Sequence, residues 1–150
     1  MEISPARTGT QLAIGGAVGG TLVSLKGMNA KVTTYGVAAG GAGALAQSLV
    51  YQKTGNGLAS LGAGVGGGAV VGAALFHLFT AGNPSSEVTA LGRRSPVAAI
   101  GVGLALGAGL GLVSSFAGFV GATALFGETD HDGDEQAPGA PGAVPSGPLV

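Results

Sequence analysis

Four long apolar segments alternate with short polar connectors along most of the chain. The segments run over about Thr10–Leu25, Val32–Tyr51, Leu58–Ala81 and Val97–Phe126. Between Gln11 and Gly127 every ionised side chain lies in a connector: Lys26, Lys31, Lys53, Glu87, Arg93 and Arg94. Long uncharged segments separated by small charged loops are typical of polytopic membrane proteins. The pattern predicts an all-α fold, a bundle of four transmembrane helices arranged as two hairpins.

The four segments differ in their content of large apolar side chains. Leu, Ile, Val and Phe each favour insertion by roughly 0.3–0.6 kcal/mol near the centre of a membrane helix. The third and fourth segments are rich in them, so we expect both to insert alone. The first two contain polar side chains (Gln11, Thr33, Thr34, Gln47) and should need a neighbouring helix. The alternative is two strong spans with the N-terminal half lying at the interface.

The fourth segment is longer than a single span requires. Its thirty or so residues would reach about 45 Å as a helix, against a hydrocarbon core of about 30 Å. We therefore expect it to tilt, to project from the bilayer or to break. Ser114–Ser115 is the expected weak point, because serine hydroxyls can bond to the preceding turn and bend a helix.

Glycines at four-residue spacing run through every apolar segment. They are Gly15, Gly19, Gly36, Gly40, Gly64, Gly68, Gly72, Gly103, Gly107 and Gly111. In a soluble helix each interior glycine costs roughly 0.5–1 kcal/mol relative to alanine. In lipid the same spacing leaves a stripe without side chains, where a second helix can approach closely. We predict that these glycines form helix-packing faces, either within one chain or between chains.

Composition and charge narrow the class of protein further. Charged residues are only 9% of the chain, well below the roughly 25% of soluble domains, and 46% of residues are hydrophobic. The net charge of −1 argues against nucleic acid as a partner. Without cysteine, disulfides and zinc–thiolate sites are excluded. We expect one transmembrane domain, residues 1–127, followed by a flexible tail, residues 128–150, that is acidic and then rich in Pro and Gly.

The acidic start of the tail resembles a calcium-binding loop in the spacing of its carboxylates. Glu128, Asp130, Asp132, Asp134 and Glu135 place acidic groups at alternate positions. An EF-hand loop needs glycine at its sixth position and a bidentate glutamate at its twelfth. This chain has Glu135 and Pro141 there. We therefore interpret the stretch as a solvated acidic run and predict no metal site.

Basic residues in the connectors predict the orientation. The first and third connectors share a side of the membrane and hold Lys26, Lys31, Arg93 and Arg94. The opposite side holds Arg7 and Lys53. The positive-inside rule places the first side in the cytoplasm and both termini outside. Glu2 and Arg7 cancel near the N-terminus, so we interpret the first apolar run as a membrane segment, with a cleaved signal peptide as the alternative.

The apolar segments offer little chemistry. His77 is an ionisable residue near the end of the third segment, and no Asp, Glu, Lys or Arg shares its depth. We interpret it as a neutral imidazole near the interface. Catalysis requires an acid, base, nucleophile or metal with a partner in reach. We therefore expect no active site, no cofactor and no enzymatic activity. Arg93-Arg94 before Ser95-Pro96 predicts a basic anchor and a proline that opens the fourth helix.

Two stretches carry family resemblances. The run IGVGLALGAGLGL resembles the glycine-rich helix of rotary-ATPase proteolipid subunits, which carry ions on a mid-membrane carboxylate. No segment of this chain has such a carboxylate, so the resemblance does not extend to ion transport. The stretch GGAVGGTLVSLKG is similar to the first helix of the mitochondrial inner-membrane translocase family, also four-span proteins. Each resemblance covers a small, glycine-rich part of the chain.

The expected function follows from helix association and the absence of buried charge. We expect a structural or assembly component that oligomerises in a bilayer, for example a viral or phage membrane protein beneath a capsid. Its expected partners are lipid, further copies of itself, and other membrane or capsid proteins. The alternative is a pore former, holin-like or a passive channel, with a lumen lined by Ser and Thr. A soluble glycine-rich bundle of the ice-binding sort is the third hypothesis.

Overall fold

The computed structural model describes residues 3–25, 30–81 and 95–127, which fold into four helices. They are α1 Pro5–Ser24, α2 Ala30–Thr54, α3 Gly57–Ala81 and α4 Pro96–Phe126. No strand occurs within these three ranges, and the predicted all-α class is confirmed. The acidic tail and the connector with Arg93 and Arg94 lie outside the described residues.

α1 begins five residues before its predicted apolar segment and α2 extends past both ends of its own, and serine caps set where α1 and α4 begin. Ser4 caps α1 and Ser95 caps α4, each accepting from a backbone N–H three residues on, and a proline follows both serines. The predicted proline opening of the fourth helix is thus confirmed. Between α2 and α3 only Gly55 and Asn56 remain, with Gly55 at φ 65°, where a glycine is favoured.

Neighbouring helices in the bundle run antiparallel. α1 pairs with α2, α2 with α3, α3 with α4, and α4 returns to α1. α2 and α4 run parallel and touch each other through the centre, whereas α1 and α3 make no contact within the described residues. The start of α1, the α2–α3 turn and the end of α4 therefore share one end of the bundle, which we call the Arg7 end. The other end, which contains Lys31 and Ser95, is the Lys31 end.

α4 is continuous over its whole length. The helix passes through Ser114–Ser115 without interruption, so the chain does not break where the sequence suggested a weak point. Neither serine hydroxyl bonds to the preceding turn; both side-chain oxygens are buried and without a partner in the described part of the chain. The bending contact on which that expectation rested is therefore not made.

Two helices are long and apolar enough to cross a bilayer. They cover Gly57–Phe79, with mean hydropathy 1.7, and Pro96–Phe126, with mean hydropathy 2.0. α1 and α2 are less apolar, since their inner faces carry Arg7, Gln11, Gln47 and Gln52. The expected difference in apolar content between the first two and the last two helices is thus confirmed.

Candidate functional site

Small and polar side chains fill the inside of the bundle, and large apolar side chains cover its outside. The buried residues are mainly Gly, Ala, Ser and Gln, and Tyr35 is the only buried aromatic residue in the described ranges. All four helices expose large apolar side chains, among them Leu12, Leu49, Val70 and Leu106. A soluble bundle has the reverse arrangement, with its largest apolar side chains inside.

α1 and α2 meet at their predicted glycines. A methyl group built on Gly19 would lie 3.1 Å from the Cα atom of Gly40, and one built on Gly36 would overlap the backbone of Gly19. Gly15 faces Gly40 and Ala44 one turn further along. The two backbones are therefore in direct contact, and no side chain larger than hydrogen fits at Gly19 or Gly36.

α3 and α4 meet in the same way. A methyl group on Gly72 would lie 2.6 Å from the Cα atom of Gly107, and one on Gly111 would lie 3.0 Å from that of Gly68. A methyl group on Gly103 would lie 3.2 Å from the carbonyl oxygen of Gly72. These distances are shorter than normal carbon contacts of about 3.5–4.0 Å.

The central contact between α2 and α4 uses a glycine outside the predicted set. A methyl group on Gly43 would lie 2.7 Å from the Cα atom of Gly111, and one on Gly40 would lie 2.6 Å from the Oγ atom of Ser114. Gly43 falls outside the four-residue spacing because it lies between α4 and α3, near Gly111 and Gly64, whereas Gly36 and Gly40 lie against α1. α2 packs against α1, α3 and α4, so its packing glycines cannot all lie on one stripe.

Every glycine of the predicted set is buried against another helix of the same chain. A second group of glycines faces outward instead. A methyl group on Gly62, Gly66, Gly101 or Gly109 would meet nothing within 4 Å. Ala105 lies between the last two and is also exposed. The outer surface of α3 and α4 therefore carries small residues at four-residue spacing that the bundle itself does not use.

A buried guanidinium lies at the Arg7 end of the interior. Arg7 is only 3% exposed, and it donates to the carbonyl oxygen of Gly127 at 3.0 Å and to the Oγ1 atom of Thr123 at 3.3 Å. Its Nε atom has no partner among the described residues, which include no Asp or Glu. These bonds join the start of α1 to the end of α4.

Next to Arg7, hydrogen bonds join α1 to α2. The Gln52 amide nitrogen donates to the hydroxyl of Thr8 at 2.9 Å and to that of Ser48 at 2.8 Å. The backbone N–H of Ser4 donates to the Gln52 amide oxygen at 2.7 Å. One glutamine side chain therefore bonds both helices of the hairpin, close to the turn into α3.

Deeper in the same half lie polar atoms without partners. The Oε1 atoms of Gln11 and Gln47 and the Oγ atoms of Ser114 and Ser115 have no hydrogen-bond partner among the described residues. Gly64 makes room for two of them, because a methyl group there would overlap Ser115 and lie 3.3 Å from the Cβ atom of Gln47. Unpaired buried polar atoms of this kind are rare in folded proteins.

Sequence reasoning missed this polar half, although a signal was present. Arg7 lies before the first predicted apolar segment, where it counts only as an orienting charge, and Gln11 and Gln47 count only as a cost of insertion. Yet Arg7 and Gln11 continue the four-residue spacing of Gly15 and Gly19. The same spacing extends the other ladders toward the Arg7 end, at Ser48, Gln52, Ser60 and Ser115. The periodicity that identified packing glycines also identified the inward-facing polar residues.

Other predicted features stand apart from the interior. His77 lies on the exposed side near the end of α3. Within the described ranges no group of three His, Cys, Asp or Glu side chains is placed to hold a metal. The acidic stretch after Gly127 lies outside the described residues.

Comparisons with known proteins return no relatives: no family model matches the chain, and no curated protein or solved structure is significantly similar to it.

Proposed function

We propose that the protein is a small integral membrane component with a structural or assembly role and no catalytic activity, and that all four helices span the bilayer. The observation that carries this proposal is the distribution of side chains, with large apolar groups outside and small or polar groups inside. α1 and α2 share it, exposing Leu12, Leu22, Val37 and Leu49. Such helices suit lipid once their polar inner faces are covered by α3 and α4.

The proposed orientation follows the basic residues. Arg7 and Lys53 belong to the Arg7 end of the bundle, and Lys31 belongs to the opposite end. In a cellular membrane the Lys31 end faces the cytoplasm, together with the connectors that carry Lys26, Arg93 and Arg94.

The proposed assembly uses the outward-facing small residues of α4. Gly101, Ala105 and Gly109 form an exposed stripe at four-residue spacing, and none of the described residues covers the two glycines. Since Gly103, Gly107 and Gly111 are already buried against α3, further copies must associate through other positions. A small-residue stripe that faces lipid supports close approach of a helix from a second copy.

A pore between chains, the alternative function, receives less support. It would need a row of Ser and Thr side chains on the outer surface. Ser48, Ser60, Ser114 and Ser115 are buried within one bundle, and the exposed hydroxyls of Thr21 and Thr34 each bond to a carbonyl oxygen of their own helix. Large apolar side chains occupy most of the outside. A lumen between several closed bundles would therefore be lined by apolar groups, which favour dewetting over conduction.

Membrane extraction and cross-linking test the proposal. The protein should stay with membranes washed in high salt and enter the detergent phase, and recovery in the soluble fraction would refute it.

In lipid, cross-linking should yield oligomers that Gly109→Leu weakens. Gly9→Leu is the matched control, because Gly9 is also exposed with nothing within 4 Å of an added methyl group, but it lies on α1. Sustained dye leakage from vesicles at low protein-to-lipid ratio would instead support the pore.

A further inference from the structure

The polar half of the interior contains a binding site that packing within the chain does not explain. We propose that Gln11, Gln47, Ser114 and Ser115 bind internal water molecules, and that water reaches them from the Arg7 end. Each of these side chains is at most 3% exposed, and each has an oxygen without a partner in the described part of the chain. The site is independent of any assembly between copies.

The hydroxyl groups give the first reason. Elsewhere a helical hydroxyl donates to the carbonyl oxygen of the preceding turn, as Ser24 does to Gly20 at 2.7 Å and Thr34 does to Ala30 at 2.8 Å. This bond is open to any serine in a helix. Ser114 and Ser115 do not make it, although both are completely buried. Their hydroxyls are therefore directed toward the interior and need a partner there.

Glycines beside these side chains give the second reason. The Oγ atom of Ser114 lies over Gly40, and Ser115 and Gln47 lie over Gly64. α4 also packs against α1 at this level, since a methyl group on Gly118 would lie 3.0 Å from the carbonyl oxygen of Gln11. All four helices thus contribute either a polar group or a glycine to the same level of the bundle. The polar groups converge on the interior from α1, α2 and α4.

The chemistry of these groups selects water over an ion. Gln oxygens accept hydrogen bonds and Ser hydroxyls both donate and accept, and water can satisfy both kinds of group at once. A metal cation is disfavoured because only neutral oxygens would bind it, and the described residues contain no carboxylate to balance its charge. The Arg7 guanidinium, one helical turn away, would also repel it. An anion would meet the unpaired oxygens of Gln11 and Gln47. A neutral ligand that both donates and accepts fits best.

Buried polar side chains continue from the proposed site toward one end of the bundle only. From Gln11 and Gln47 the polar interior continues through Ser48 and Gln52 to Arg7. In the opposite direction the backbones of Gly19 and Gly36 touch, as do those of Gly68 and Gly107. The arrangement is a hydrated half-channel that ends near the middle of the bundle, and not a continuous pore.

Water-edited NMR of the full chain, in bilayers or detergent, tests the inference without any substitution. Magnetisation should pass from water to the side chains of Gln47 and Ser115 several-fold faster than to the methyl groups of Ala39 and Ala99. These alanines are equally buried, at 0% and 2% exposed, but lie nearer the Lys31 end. Equal rates for the two pairs would overturn the proposal.

Two further measurements test which ligand binds at the site and by which route water reaches it. When choline is the cation of the buffer salt, replacing it by sodium or potassium should leave the Gln47 side-chain resonances unchanged. A saturable shift would assign the site to a cation and overturn the assignment to water. Gln11→Leu should slow transfer to Ser114 while transfer to Ala99 is unchanged. Unaltered transfer to Ser114 in a folded variant would refute the route. If the variant does not fold, the wild-type rates still decide the proposal.

Discussion

Around Gly72 and Gly107 the helices of the bundle touch backbone to backbone, whereas around Gln52 and Arg7 they are joined by side-chain hydrogen bonds. The first region excludes even a methyl group, and its stability depends on shape. The second accommodates longer side chains, and its stability depends on the hydrogen bonds between them. One spacing of four residues thus produces two kinds of interface, depending on whether glycine or a polar residue occupies it.

The largest effect is expected from adding volume to the glycine region. In Gly107→Leu the first added carbon would lie 2.9 Å from the Cα atom of Gly72 and 3.1 Å from that of Ala69. Because these neighbours are backbone atoms, α3 and α4 must separate. We expect a loss of about 3 kcal/mol or more of unfolding free energy. Denaturation with SDS in mixed micelles, followed by far-ultraviolet circular dichroism, measures it.

Gly109→Leu on the same helix is the matched control for this substitution. The Cβ atom added there would meet nothing within 4 Å, because Gly109 faces outward. Since leucine is the better helix former, the variant should be as stable as the wild type or more stable, by up to about 1 kcal/mol. Equal destabilisation by the two leucines would mean that α3 and α4 do not pack through Gly107.

A smaller loss is expected from removing a hydrogen-bonding side chain in the polar region. Gln52→Leu leaves the backbone N–H of Ser4 and the hydroxyls of Thr8 and Ser48 without this partner. We expect the unfolding free energy to fall by about 1–3 kcal/mol, the typical cost of unpaired buried polar groups. Thr21→Val is the control, because that exposed hydroxyl bonds only within its own helix. A neutral Gln52→Leu would show that the glycines alone hold both regions.

Much of the fold could be predicted from the sequence because hydropathy and helix capping act locally. Uncharged apolar runs gave the number and order of the helices, and their unequal content of large side chains gave the difference between the two hairpins. The helix ends differed because polar residues such as Thr54 continue a helix beyond its apolar part. Where Ser95-Pro96 supplied a cap, the start was predicted correctly.

The direction in which each small residue faces could not be predicted in the same way. Gly101, Ala105 and Gly109 repeat every four residues, as Gly103, Gly107 and Gly111 do on the same helix. The first set faces outward, yet the second is buried against α3. The two stripes differ only by a rotation about the helix axis, which is set by the positions of neighbouring helices. For the same reason Arg7, which precedes the first predicted apolar segment, lies inside the bundle.

The smallest effect sharpens the comparison, because it concerns a side-chain hydrogen bond within the glycine region. The hydroxyl of Tyr35 donates to the carbonyl oxygen of Gly103 at 3.2 Å and links α2 to α4. Tyr35→Phe removes this bond and keeps the ring, so we expect a loss of only about 0.5–1.5 kcal/mol in the same SDS titration. Thr34→Val, which loses an exposed hydroxyl bonded within its own helix, should change stability less. If Tyr35→Phe instead costs as much as Gly107→Leu, hydrogen bonding also governs the glycine region, and the distinction between the two regions fails.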